Sequence, residues 1–176
     1  MAPCETSVMH RRTLLKLGFA SAAVLALAGG AAALLQPGWT GKALSASGRE
    51  VFKAVGGAVL DKTLPAQEGA RQIALNGLLD RVDVLVAALP PHAQAELSQL
   101  LSLLASTPGR HALAGLGTAW PEATVSQIQE ALQDMRLSSL ALRQQAYAAL
   151  HDISAGAYFS DSSSWAVLGY PGPLKI

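Results

Sequence analysis

Cysteine is nearly absent: Cys4 is the sole one in 176 residues. One thiol cannot supply an internal disulfide, a cysteine-built zinc site or a Cys-x-x-Cys-His haem attachment. Charge is also scarce, at 14% of residues with a formal net charge of +1. An electrostatic nucleic-acid binder needs a basic face, and this composition does not offer one. Aromatics make up only 5%, yet hydrophobic residues reach 51%. That richness excludes intrinsic disorder, and the excess of Ala and Leu favours helix. The length suits one domain of ordinary size.

What is present is strongly ordered along the chain. The N-terminus reads His10-Arg11-Arg12-Thr13-Leu14-Leu15-Lys16, and no charged residue follows from Leu17 through Gly41. A charged start, an apolar run and then small residues form the pattern of an export signal. The paired arginines resemble the twin-arginine (Tat) motif, Ser/Thr-Arg-Arg-x-Phe-Leu-Lys. Arg11, Arg12, Leu15 and Lys16 match it; His10 and Leu14 depart from it. The apolar run is mild, with Gly18, Gly29 and Gly30 among its alanines and leucines. A buried core helix has no reason to open on two arginines and then carry no charge.

Two fates fit this segment. Ala43-Leu44-Ser45 offers small residues for cleavage before Ala46. Alternatively Leu17 to Leu35 stays as an anchor, since a helix of that length nearly covers a ~30 Å hydrocarbon core, with its basic flank held in the cytoplasm. Residues 1–46 are therefore read as a signal peptide or signal anchor, and the expected location is the periplasm, with or without attachment to the inner membrane.

Residues 47–159 read as an all-α domain, a small antiparallel bundle of five or six short helices. Ser47 and Glu50 fit a capping box before a stripe of Val51, Phe52, Val55 and Val59. A second helix is expected from Ala66 to Leu89, with Ile73, Leu78, Leu79, Val82, Leu85, Val86 and Leu89 inward, ending at Pro90-Pro91. A third runs to Ser106, with Leu97, Leu100, Leu101 and Leu104 at helical spacing and Pro108-Gly109 as its stop. Arg110 to Leu116 is a short helical turn closed by Gly117, and Trp120-Pro121 is a corner. Thr124 and Gln127 form a second capping box, before Val125, Ile128, Leu132 and Met135. The last helix spans Ser139 to Phe159, with Leu140, Tyr147, Leu150, Ile153, Ala157 and Tyr158 buried. Nothing alternates with a period of two, so no sheet is expected.

Residues 160–176 form an unusual tail. Five of the nine aromatics fall in the last thirty residues: Tyr147, Tyr158, Phe159, Trp165 and Tyr170. After a serine loop the chain reads Trp165-Ala-Val-Leu-Gly-Tyr-Pro-Gly-Pro. Prolines prevent helix, and Gly169 and Gly172 permit positive φ. The pattern predicts an extended, turn-rich strap. Either its aromatics plug the chain's own core, or they anchor a partner, the common role of Tyr and Trp at interfaces.

The twin-arginine signal, Leu64-Pro65 after the first helix, and the closing Tyr-Phe…Ser-Trp…Gly-Tyr-Pro-Gly-Pro together resemble the small subunits of membrane-associated flavin dehydrogenases of the glucose–methanol–choline (GMC) type. Gluconate 2-dehydrogenase subunit 3 is the named relative. The resemblance covers the two ends of the chain, and the middle only as helical pattern. It implies a non-catalytic accessory subunit. In such complexes a GMC-type flavin dehydrogenase large subunit holds FAD and does the chemistry, while the small subunit lends it a signal for the Tat translocase and stabilises it. A cytochrome c subunit often completes the complex. Carried over, Tyr158, Phe159, Trp165, Gly169, Tyr170 and Pro171 are expected to be structural or partner-contact residues.

Catalytic and metal motifs are sparse in the sequence. His92, His111 and His151 show neither His-x3-His nor His-Glu-x2-His spacing, so no metal site is expected. His151 and Asp152 are adjacent on a helix and point about 100° apart, so they are not expected to pair. Gly115-Leu116-Gly117 lacks the third glycine and the preceding strand of a dinucleotide loop. No Gly-x-Ser-x-Gly elbow occurs. The remaining reading is a stand-alone periplasmic helical protein with a ligand of its own.

Overall fold

A computed structural model describes residues 36–172. Arg11, Arg12, Leu15 and Lys16 lie outside the described residues, as do Pro173 and the three residues after it. The chain divides into two units, Met1–Gln36 and Pro37–Ile176, and the fold is that of the second. It is all-α. Among the described residues six α-helices follow in order: α1 (Ala46–Val59), α2 (Glu68–Ala87), α3 (Pro91–Ala105), α4 (Thr107–Ala114), α5 (Val125–Arg136) and α6 (Ala141–Phe159). A 3-10 helix, Ser162–Leu168, comes after them. Among the described residues there is no strand, only an isolated bridge between Trp39 and Leu44.

Helix α1 is the hub, packing against α2, α3, α5 and α6. Its sequence explains why. Val51, Phe52 and Val55 are fully buried, and Gly48, Gly56, Gly57 and Ala58 extend burial around most of the helix. Each large side chain so buried contributes about 1.5–3 kcal/mol. The small residues let neighbours approach: a Cβ at Gly56 would collide with a methyl of Leu78 in α2. Helix α6 closes the other side, with Ala146, Leu150, Ala157 and Tyr158 buried and contacts to α1, α2, α4 and α5.

The packed unit starts at Pro37, ten residues before the expected domain start at residue 47. Residues 37–45 form a strap that lies on α1 and α3. Trp39 is 6% exposed and Leu44 is 5% exposed. Between them Thr40 and Ala43 close a tight turn, the Thr40 amide donating to the Ala43 carbonyl at 2.9 Å, with Gly41 at a φ of 87°. The Gly38 and Trp39 amides donate to the Ser98 carbonyl (3.3 Å) and hydroxyl (3.1 Å). The Trp39 indole donates to Gln94 Oε1 at 3.2 Å. The Leu44 amide donates to Asp83 Oδ1 at 2.7 Å, and Asp83 Oδ2 accepts from Arg49 at 2.7 Å, so one carboxylate ties the strap, α1 and α2 together. Ser45 then caps α1 by accepting from the Gly48 amide at 3.2 Å.

Local signals were sound where one residue decided the outcome. Thr124 and Gln127 form the full capping box of α5. Leu97, Leu101 and Leu104 are buried, and Pro90-Pro91 separates α2 from α3.

Four expectations need correction. The cap of α1 is Ser45 rather than Ser47, because the strap delivers Ser45 to the Gly48 amide while the Ser47 hydroxyl only meets that of Ser45, at 3.1 Å. Helix α3 does end ahead of Pro108-Gly109, at Ala105, but the pair itself sits in the first turn of α4, where Pro costs no amide bond and Ser106 caps. That helix ends at Gly115 (φ 69°) rather than Gly117. Ile73 is 74% exposed and Leu140 is also outward, while Leu75 faces the core.

Candidate interaction site

The sequence directs attention to the end of α6. Tyr158 is 6% exposed and lies in the chain's own core, its hydroxyl donating to the Thr63 carbonyl at 3.2 Å. The turn bearing Leu64-Pro65 and the start of the aromatic tail are thus brought together, with Leu64 itself buried. Phe159 is half-buried against that core, its ring edge-on to Tyr158 at 5.2 Å.

Beyond Phe159 the chain turns back on its helix. The last four carbonyls of any helix lack intrahelical donors, and here they are met from outside. Arg81 Nε donates to the Ala157 carbonyl at 2.8 Å, and the Trp165 indole donates to the Phe159 carbonyl at 2.7 Å. A cation at that position also complements the helix dipole. Arg81 reaches Asp161 as well, at 3.2 Å. Asp161 caps the 3-10 helix through the Ser163 amide at 2.9 Å. Hydrogen bonds from the Ser163 amide and then its side chain hold the Asp161 carboxyl below the ordinary carboxylate range, with the Arg81 charge adding to them. A depressed carboxyl stabilises the fold above its unfolded pKa and loses that contribution as the pH falls through the folded one. Its cap therefore fails only in acid.

Gly169 takes a φ of 67°, and Trp165 and Tyr170 meet with ring centroids 5.3 Å apart. The Tyr170 amide donates to the Trp165 carbonyl at 3.2 Å, and Gly172 sits beside the Trp165 ring. Tyr170 remains 49% exposed, and Gly169 and Pro171 are exposed with it. Of the six residues singled out, then, Tyr158 is interior, Phe159 and Trp165 are half-buried, and Gly169, Tyr170 and Pro171 form the outer rim.

Elsewhere the surface offers little concentrated chemistry. Among the described residues no group of three His, Cys, Asp or Glu side chains is placed to hold a metal ion. A shallow depression of about 240 Å³ lies between the loop Gly115–Thr118 and α5, with Glu130 and Asp134 on its edge. His151 and Asp152 do pair, contrary to expectation: Nδ1 and Oδ1 are 2.9 Å apart. Side-chain torsions bring the two tips together although their Cα–Cβ bonds diverge. The pair lies at the surface, with the His151 ring stacked on Tyr147. The ion pairs Arg49–Asp80, Arg49–Asp83, Arg71–Asp61 and Arg81–Asp161 join neighbouring elements.

Sequence reasoning missed the strap and one buried cation. Arg110 in α4 is only 7% exposed, and its Nε meets no acceptor. Large apolar side chains left outside, Ile73 and Val84 on α2 and Leu137, Leu140 and Leu142 around the turn from α5 to α6, were equally invisible to periodicity. No helix among the described residues is long and apolar enough to cross a membrane. Compared with known protein families, with curated proteins and with solved structures, the chain matches none.

Proposed function

We propose that this chain is a non-catalytic accessory subunit that supports the export, stability and membrane association of a periplasmic FAD-dependent dehydrogenase of the GMC type. The observation that carries the reading is the twin-arginine pattern Arg11-Arg12 placed ahead of a compact all-α unit. The Tat route carries folded proteins, and a folded protein can carry a bound companion with it. The outer rim of the tail, Gly169, Tyr170 and Pro171, supports the reading by presenting an exposed aromatic ring on a turn. Tyr170 would contact the large subunit, whereas Tyr158, Phe159 and Trp165 hold the turn in place. The stabilising mechanism is mass action. A partner that binds only the folded flavoprotein stabilises it by about 2.7 kcal/mol at a hundredfold excess over the dissociation constant. FAD belongs to the large subunit, and a cytochrome c subunit would complete the complex.

A second reading differs only in the fate of the N-terminus. The uncharged run from Leu17 to Leu35 would stay as a membrane tether for the same complex. Carbonate extraction separates the two, since a tethered chain stays with the membrane pellet.

The export role has a direct test. Replacing Arg11 and Arg12 with lysines in the native host should leave the dehydrogenase activity in the cytoplasm, with its periplasmic level reduced at least tenfold. A flavoprotein that reaches the periplasm undiminished contradicts the carrier role.

A further inference from the structure

The strap fixes where processing of this chain can take place. We infer that the export peptidase cuts N-terminal to Pro37, and that residues 37–45 stay with the mature protein. The inference rests on the export reading above, but its structural half stands alone.

A peptidase needs an extended, accessible segment, and such segments are poorly tied to the fold. The site before Ala46, with Ala43-Leu44-Ser45 leading to it, fails that requirement. Leu44 is buried, its amide is held by Asp83, and Ser45 donates its amide to the Gly38 carbonyl at 3.0 Å. Trp39 is buried as well and pinned at both its amide and its indole. Because the Tat route delivers a folded protein, the strap is already seated when the peptidase meets it. Cutting there would also remove the Ser45 cap and leave a positive α-amino group on the first residue of α1, the wrong charge for a helix N-terminus.

The sequence before Pro37 carries the pattern of a cleavage site. Leu17 to Leu27 is an apolar run of the length usual in signal peptides, and Gly29-Gly30 follows it. Ala31 and Ala33 then supply small residues two apart, which places the cut between Ala33 and Leu34.

Two measurements test this. The full chain carrying a C-terminal affinity tag is recovered from the periplasm of a Tat-competent host, and its intact mass and N-terminal sequence are determined. A first residue at Leu34, or elsewhere at or before Pro37, supports the inference. A first residue beyond Pro37, Ala46 above all, or an uncut chain overturns it. A chain found only in the cytoplasm tells against the export reading, and the second measurement then decides the structural half. Amide hydrogen exchange on the purified full-length chain should show Gly38, Trp39, Leu44 and Ser45 protected by about a hundredfold or more over free peptide rates. Exchange at free-peptide rates there overturns the inference.

Discussion

Replacing Trp120 with alanine is expected to lower the unfolding free energy by about 4 kcal/mol, enough to unfold a marginal domain. Trp120 lies between α4 and α5, is buried in the core, and donates its indole hydrogen to the Leu104 carbonyl at 2.7 Å. That carbonyl belongs to the last turn of α3, where no helical amide is available. The ring therefore fills the core and also satisfies a helix end. Removing it creates a large cavity and leaves a buried acceptor unpaired, and the two costs add. Trp120→Phe separates them: it keeps most of the volume and loses the hydrogen bond, for about 1–2 kcal/mol. Urea titration of both variants by circular dichroism measures the two losses. A loss below about 1 kcal/mol for the alanine variant contradicts the packing described.

The second large effect concerns the strap. Gly38→Val should cost about 3 kcal/mol or more. A Cβ at Gly38 would collide with that of Leu101 and come within 2.9 Å of the Ser98 carbonyl oxygen. From the other side, a Cβ at Gly48 would approach the Gly38 carbonyl oxygen to 2.6 Å. Backbone meets backbone here, so no side chain can rotate away. A valine must lift the strap, and the burial of Trp39 and Leu44 goes with it. Gly57 in the same α1 is the control of opposite sign. A Cβ there meets nothing within 4 Å, so Gly57→Ala should stabilise by about 1 kcal/mol through helix propensity. Thermal melts of the two variants beside the parent check both signs. Equal melting of Gly38→Val and the parent contradicts the seating of the strap.

These cases show which parts of the structure were legible in the sequence. Leu97, Leu101 and Leu104 repeat at 3.6-residue spacing on a helix with one apolar face, so their burial could be read directly. Thr124 and Gln127 satisfy one another within a single turn, so their box needed no tertiary knowledge. Helix α2 carries apolar residues on two opposite sides, Ile73 and Val84 on one and Leu75, Leu78, Leu79, Val82 and Val86 on the other, so periodicity places most of its core face and still misassigns Ile73. The choice of Leu75 over Ile73 is made by α1 and α6. The strap was illegible for a different reason. Trp39 is read by composition as the end of an uncharged leader, and its partners Gln94 and Ser98 lie more than fifty residues away. The tail was half legible. Its prolines, glycines and aromatics predicted turns, but the use of Trp165 and Arg81 to close the end of α6 depends on contacts across the fold.

The central claim is that this chain travels and acts with a flavin-bearing companion. Gentle isolation of the tagged chain from its native host, followed by an absorbance spectrum and intact mass of whatever accompanies it, tests that claim most directly. The account predicts a yellow complex in which a much larger, FAD-containing subunit is recovered in fixed proportion, and Tyr170→Ala lowers that recovery at least tenfold. A chain that always emerges colourless and alone contradicts it.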